Sequence, residues 1–205
     1  MKTFVYIDAS NLFYGGKKSL GWSIDFQKLI KYLRERFNAS KVYYFGGVEI
    51  YKFPFNYLAC NTVPLRELEE YFTECIRTGV PNTELEPLER HLQQVVFYQK
   101  LKEFGFELIL KPVKIYNFGL GNQKRKANCD VEMAFYLMRD KELFSRVIIL
   151  SGDGDFLPIL KYLREHARKD VLVMARGPRT AKEIKQFAGD RFINLISINM
   201  RQKLE

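Results

Sequence analysis

Between Val147 and Leu150 an unbroken apolar run, rich in β-branched residues, spells a strand buried on both faces. Ser151-Gly152-Asp153-Gly154-Asp155 follows at once. A helical repeat of apolar positions then begins at Phe156, Ile159, Leu160 and Leu163, with Pro158 in its first turn. Asp153 and Asp155 therefore belong to a tight loop between the carboxyl end of a core strand and the amino end of a helix, where open α/β sheets bind their ligands. The plainer alternative has one Asp capping the helix and the other solvated.

The same strand and helix periods recur along the chain. Thr3 to Ile7 reads as a strand that ends in Asp8-Ala9-Ser10-Asn11, and Phe13 to Gly21 reads as a loop. Asp25 to Phe37 sets Phe26, Leu29, Ile30, Leu33 and Phe37 on one helical face, with Ser23 or Asp25 to cap it. Lys41 to Val48 reads as a second strand, broken by Gly46-Gly47. Next come a helix at Leu88 to Phe104 closed by Gly105, a strand at Phe106 to Leu110, and a loop or hairpin at Lys111 to Lys126. Asp130 opens a helix with Val131, Ala134, Phe135 and Met138 turned to the core. After the central strand and a helix ending near Ala167 come a strand at Asp170 to Met174, a helix at Thr180 to Ala188 and a last strand at Phe192 to Ile196. Such alternation with short connections predicts an α/β fold, a mainly parallel sheet flanked by helices.

From Ile50 to about Pro87 the texture changes. Pro54, Pro64, Pro81 and Pro87 punctuate it, aromatics gather at Tyr51, Phe53, Phe55 and Tyr57, and acids at Glu67, Glu69, Glu70 and Glu74. This reads as an insertion at about 51–87 in an otherwise single domain, with a helix at Leu65 to Ile76. Its aromatics either stack on bases or pack the insertion onto the main body.

Lys and Arg outnumber Asp and Glu by 33 to 24, a formal charge of +9 that favours polyanionic partners, nucleic acid above all. The apolar run at the amino terminus is short and ends in an acid, so it reads as a first strand and not as a signal peptide, and no run approaches a membrane span. Cys60, Cys75 and Cys129 are odd in number and far apart, which argues for free thiols in a reducing, cytoplasmic compartment. Gly15-Gly16-Lys17-Lys18 lacks the spacing of a P-loop and reads as a basic loop.

In a parallel sheet the carboxyl ends of the strands share one edge. Asp8, Asp153 and Asp155 would meet there, and Asp130 could join them from the start of its helix. Carboxylates about 4 Å apart repel by roughly 4 kcal/mol at an effective dielectric of about 20, so they take up protons or hold a cation. An oxygen-only donor set suits Mg²⁺ or Mn²⁺, which also coordinate phosphate, and the chemistry that follows is metal-assisted phosphodiester hydrolysis.

Ile7-Asp8-Ala9-Ser10-Asn11, Asp130-Val131 with Ala134, and Leu150-Ser151-Gly152-Asp153-Gly154-Asp155-Phe156 stand in the order and setting that resemble the NYN-domain family, in particular its LabA-like branch. The likeness extends to Ala188, Phe192 and Leu195. That family is similar to PIN-domain nucleases, and the resemblance implies a Rossmann-like sheet and an association with RNA cleavage or processing. It also implies that Asp8, Asp130, Asp153 and Asp155 form a metal-binding cluster, with Asn11 as a polar positioning residue and Ser151 as a lesser helper. Lys126-Ala127-Asn128-Cys129 departs from the Lys-Gly-Val-like run usual before the second acid. Glu49 reads as a fifth acid or as a solvated loop residue.

A haloacid-dehalogenase-type phosphatase needs a second acid where Ser10 stands and Asn-Asp where Asp155-Phe156 stands. A metal-dependent adhesion module needs a Ser where Leu12 stands. The stronger rival keeps the fold and grips RNA without cutting it. The sequence thus points to a Mg²⁺- or Mn²⁺-dependent ribonuclease with Asp8, Asp130, Asp153, Asp155 and Asn11 as its catalytic set, leaving open whether DNA is also cut. Lys111, Lys114, Lys124, Arg125, Lys126, Lys161, Arg176, Arg179 and Lys182 are the expected phosphate track.

Overall fold

The computed structural model describes residues 1–13, 23–117 and 123–205, with the backbone alone at 13, 115–117, 123–126, 198 and 199. The loop expected to follow Phe13, with Gly15-Gly16-Lys17-Lys18, lies outside the described residues.

Strand β1 (Thr3–Asp8) is followed by the short helix α1 (Ala9–Phe13) and by α2 (Phe26–Phe37), whose first turn is capped by the Asp25 carboxylate accepting from the Lys28 N–H at 3.0 Å. Then come β2 (Ala39–Val48), α3 (Leu65–Thr78), α4 (Asn82–Phe104), β3 (Glu107–Pro112) and an antiparallel pair, β4 (Lys114–Asn117) with β5 (Gln123–Lys126). The chain continues through α5 (Asp130–Arg139), β6 (Arg146–Leu150), α6 (Leu157–Glu165), β7 (Asp170–Ala175), α7 (Lys182–Ala188), β8 (Phe192–Asn194) and α8 (Ile198–Leu204).

Six strands pair in the order β3-β2-β1-β6-β7-β8, every neighbouring pair parallel. The chain builds outward from β1 in one direction, then returns to its other side at β6. The order therefore reverses between β1 and β6, and the crevice at their carboxyl ends is the switch point where such sheets take ligands.

Side-chain alternation divides the core. Val5 and Ile7 of β1 face one layer, with α2, α3, α4 and α8; Phe4 and Tyr6 face the other, with α5, α6 and α7. Phe4, Val5, Tyr6 and Ile7 have no exposed surface, and full burial of one such side chain contributes roughly 1.5–3 kcal/mol. A strand held this firmly on both faces fixes the position of whatever stands at its end.

Four expectations need correction. β2 is not broken at Gly46-Gly47: both residues stay in register with Leu110 and Lys111 of β3. Gly47 serves there as a gap, since a Cβ on it would stand 2.4 Å from the Cβ of Ala127. Helix α5 is turned differently from the expectation, with Met133 and Leu137 buried and Val131 and Phe135 exposed. It is apolar nearly all round, so periodicity alone does not choose its face. Helix α4 starts at Asn82 and runs through Pro87, and α8 follows a last strand that ends at Asn194. Among the described residues no helix is long and apolar enough to cross a membrane.

Candidate functional site

Ile7 of β1 pairs with Leu150 of β6. Asp8 shares the face of Phe4 and Tyr6, and Ser151 continues that of Val147 and Ile149, so the two side chains meet on the α5 side of the sheet. The Ser151 hydroxyl donates to Asp8 Oδ2 at 3.0 Å, and the Asn11 N–H donates to Asp8 Oδ1 at 3.1 Å. Asp8 is only 7% exposed. Burial pushes its carboxyl above the ordinary value and the charge of Asp130 pushes the same way, against the hydrogen bonds from Asn11, Ser151 and Ser10.

Asp130 reaches this place as the first residue of α5, half-buried, its N–H donating to Asn128 Oδ1 at 2.9 Å. Lys111 at the end of β3 steadies that start: its ammonium donates to the Asn128 carbonyl at 3.1 Å and to Glu132 Oε1 at 2.6 Å. Cys129 is buried among these groups, its Sγ 3.5 Å from the Gly46 carbonyl. Burial first, then the charges of Glu132, Asp8 and Asp130, opposed by Lys111, push its thiol up to about 12.

The loop after β6 is tied to β1. Asn11 Oδ1 accepts from the Gly152 N–H at 3.0 Å, and Ser151 Oγ accepts from the Asp153 N–H at 3.2 Å. Asp153, half-buried, caps the short 3₁₀ turn Gly154–Phe156 by accepting from the Asp155 N–H at 3.0 Å, and Asp155 is exposed. The 176–181 segment lies over this loop, with the Ala181 N–H donating to the Gly152 carbonyl at 2.9 Å. A Cβ on Gly152 would stand 2.9 Å from Thr180 Cα, so only glycine fits that crossing.

Arg176 is not on the surface. It is 4% exposed, and its guanidinium donates to the Asn11 carbonyl, which makes it part of the scaffold instead of a phosphate contact. Lys111 is likewise engaged by Glu132. Lys114, Lys161, Arg179 and Lys182 are at least partly open to solvent; the side chains of Lys124, Arg125 and Lys126 lie outside what is described. Glu49 borders a separate cavity of about 440 Å³ with Pro87, Arg90, His91 and Gln94. Among the described residues no three His, Cys, Asp or Glu side chains come close enough together to hold one ion.

The family model for the NYN domain matches residues 2–197. The low amplitude and bright protein LabA of Synechococcus elongatus is 24% identical over 196 residues, covering 95% of this chain and 83% of that protein. A protein of unknown function from Vibrio parahaemolyticus, VPA0982, shares the fold at a TM-score of 0.61 and 17% identity, over 95% of this chain and 92% of that one. The T5 D15 protein co-crystallized with metal ions is a more distant likeness, at a TM-score of 0.45 and 15% identity over 90% of this chain and 59% of that one. On a match that spans nearly its whole length, the chain belongs to the NYN-domain family, and LabA is a relative within reach of its sequence.

Proposed function

We propose that this protein is a Mg²⁺- or Mn²⁺-dependent nuclease that hydrolyses phosphodiester bonds in RNA, in the cytoplasm. The observation that carries the reading is Asp8: a buried carboxylate at the sheet's switch point whose charge is disfavoured by burial and by Asp130. The groups that act on it are a second carboxylate and neutral donors, a setting that a cation relieves. The donors are all oxygen. A hard divalent ion that keeps most of its water and takes one or two carboxylates plus substrate phosphate needs no closed protein cage, so Asp8 and Asp130 fit it. The choice of RNA rests on the family resemblance.

In this reading Asp8 and Asp130 would hold the ion, with Asp153 and Asp155 on the loop that Ser151 joins to Asp8. A bound ion there supplies an acidified water and offsets charge on the leaving oxygen. Ser151 and the Asn11 backbone N–H keep Asp8 in one orientation, and the Asn11 side chain holds the Gly152 loop against β1. Arg176 fixes Asn11 in turn. Arg179 and Lys182 flank the segment that covers the loop and lead the phosphate across it, with Lys114, Lys161 and the basic strand β5 as further contacts.

A second reading, an NYN protein that grips RNA without cutting it, is favoured by the engagement of Asp153, whose Oδ1 is taken up by the Asp155 N–H as a cap. Incubation of a mixed RNA pool with Mn²⁺ separates the two. The nuclease reading expects cleavage by the parent and at least a hundredfold loss in Asp8→Asn and Asp153→Asn. Asn keeps the cap at 153, so the loop is retained. Equal cleavage by parent and variants contradicts the assignment of these residues, and binding without cleavage in all three supports the second reading.

A further inference from the structure

We infer that the cavity between residues 55–61 and α5 is a subsite for one unpaired nucleobase of the bound strand, an inference that rests on the nucleic-acid reading above. The cavity holds about 370 Å³, within the range of small-ligand pockets, and its lining includes Ile109 and Leu110 of β3. The lining takes Phe55 and Tyr57 from one segment, ring centroids 4.8 Å apart, and Phe135 and Tyr136 from another, 5.8 Å apart. Tyr57 is 52% exposed and Phe135 60% exposed, so two elements far apart in sequence each leave an aromatic face open to solvent at one cavity. Exposed aromatic rings of this kind offer stacking surfaces to a flat, unpaired base of any sequence.

Polar groups give the cavity a directional contact. Glu132 is on the lining, with Oε1 held by the Lys111 ammonium at 2.6 Å. A carboxylate accepts from the ring N–H or exocyclic amine of a base. The cavity also lies beside the acidic edge. Lys111 of its lining donates to the Asn128 carbonyl at 3.1 Å, and the Asn128 side chain accepts from the Asp130 N–H at 2.9 Å. A strand with its phosphate at Asp8 and Asp130 can therefore seat a nearby base between Tyr57 and Phe135. An apolar protein partner would use the open aromatic faces and offer the Glu132 carboxylate no donor.

The test is equilibrium binding of a labelled single-stranded RNA, without divalent metal, to the full chain. Intact strands are compared with strands made abasic at one position in turn. The parent is expected to bind at least one abasic strand about tenfold more weakly than the intact one. In Tyr57→Ala/Phe135→Ala that penalty should vanish, because the stacking faces are gone; both residues are exposed, so the fold is kept. Glu132→Gln, which turns the carboxylate into an amide, should change the preference among the four bases at that position. If the aromatic variant keeps the abasic penalty, or weakens intact and abasic strands alike, the subsite is refuted while the nuclease reading stands. If the parent neither binds nor cuts RNA, the nuclease reading fails and the subsite fails with it.

Discussion

Asp8 and Ser151 lie side by side because Ile7 and Leu150 are paired residues of two parallel strands, and the Ser151 hydroxyl donates to Asp8 Oδ2 at 3.0 Å. The same Ser151 oxygen accepts from the Asp153 N–H at 3.2 Å. One hydroxyl thus connects the acid at the end of the first strand to the loop that carries the later two. The central strands do more than build the core: their register sets the site.

Asp8→Asn should stabilise the metal-free protein. Burial and Asp130 raise the Asp8 carboxyl above its ordinary value of 3.8, so the folded state holds that proton more tightly than the unfolded chain does. The ionised form therefore weighs against folding in full above the folded value, and not at all below the unfolded one. Near pH 7 the variant should melt higher by about 2 °C or more, and the difference should disappear in acid. Melting curves of both proteins across that range give the answer, and a lower melting temperature for the variant at pH 7 contradicts the electrostatics.

Gly152→Ala should cost about 1–3 kcal/mol, because the added Cβ would meet the backbone of Thr180 at 2.9 Å where the Ala181–Gly152 hydrogen bond pins the two segments. Denaturant titration reads the loss. Gly189→Ala places its Cβ in open space and serves as a contrast, costing only the strain of a positive φ of 53°.

Cys129 should resist alkylation at neutral pH, its thiol buried and pushed up to about 12, whereas the exposed Cys60 should react. Mass spectrometry after iodoacetamide treatment of the native protein distinguishes the sites. Modification of Cys129 as fast as Cys60 would mean that the junction of β5 and α5 opens readily.

Arg179→Ala with Lys182→Ala should flatten the dependence of log affinity for single-stranded RNA on log salt, by about 0.7 for each phosphate that is no longer neutralised. An unchanged slope removes that surface from the phosphate track. Arg176→Ala belongs to a different class: it removes a buried support of Asn11, so its effect should appear in stability.

Much of this was legible in the sequence where local pattern and tertiary outcome agree. Val147 to Leu150 is apolar without interruption and is buried on both faces, and Asp25 stands where a cap for α2 belongs. What escaped was decided by partners remote in the chain. Nothing local says that the Arg176 guanidinium turns inward to the Asn11 carbonyl, or that Ala127 crosses β2 so closely that Gly47 must lack a side chain. Helix α8 is short and mostly polar, and its place against α2 is set by the Asp25 N–H donating to the Leu204 carbonyl at 2.7 Å. The α5 helix offered two apolar faces, and the sheet selected Met133 and Leu137. Asp130 is recognisable by its motif, but its closeness to Asp8 is visible only once the strands are assembled.

The central claim, that Asp8 and Asp130 make a cation site at the switch point of the sheet, is tested most directly by titrating the protein with Mn²⁺ and following the free ion by electron paramagnetic resonance. The account expects saturable binding by the parent that strengthens as pH rises and Asp8 loses its proton, with most of that binding lost in both Asp8→Asn and Asp130→Asn. Binding that is equal in parent and variants, or indifferent to pH, would contradict it.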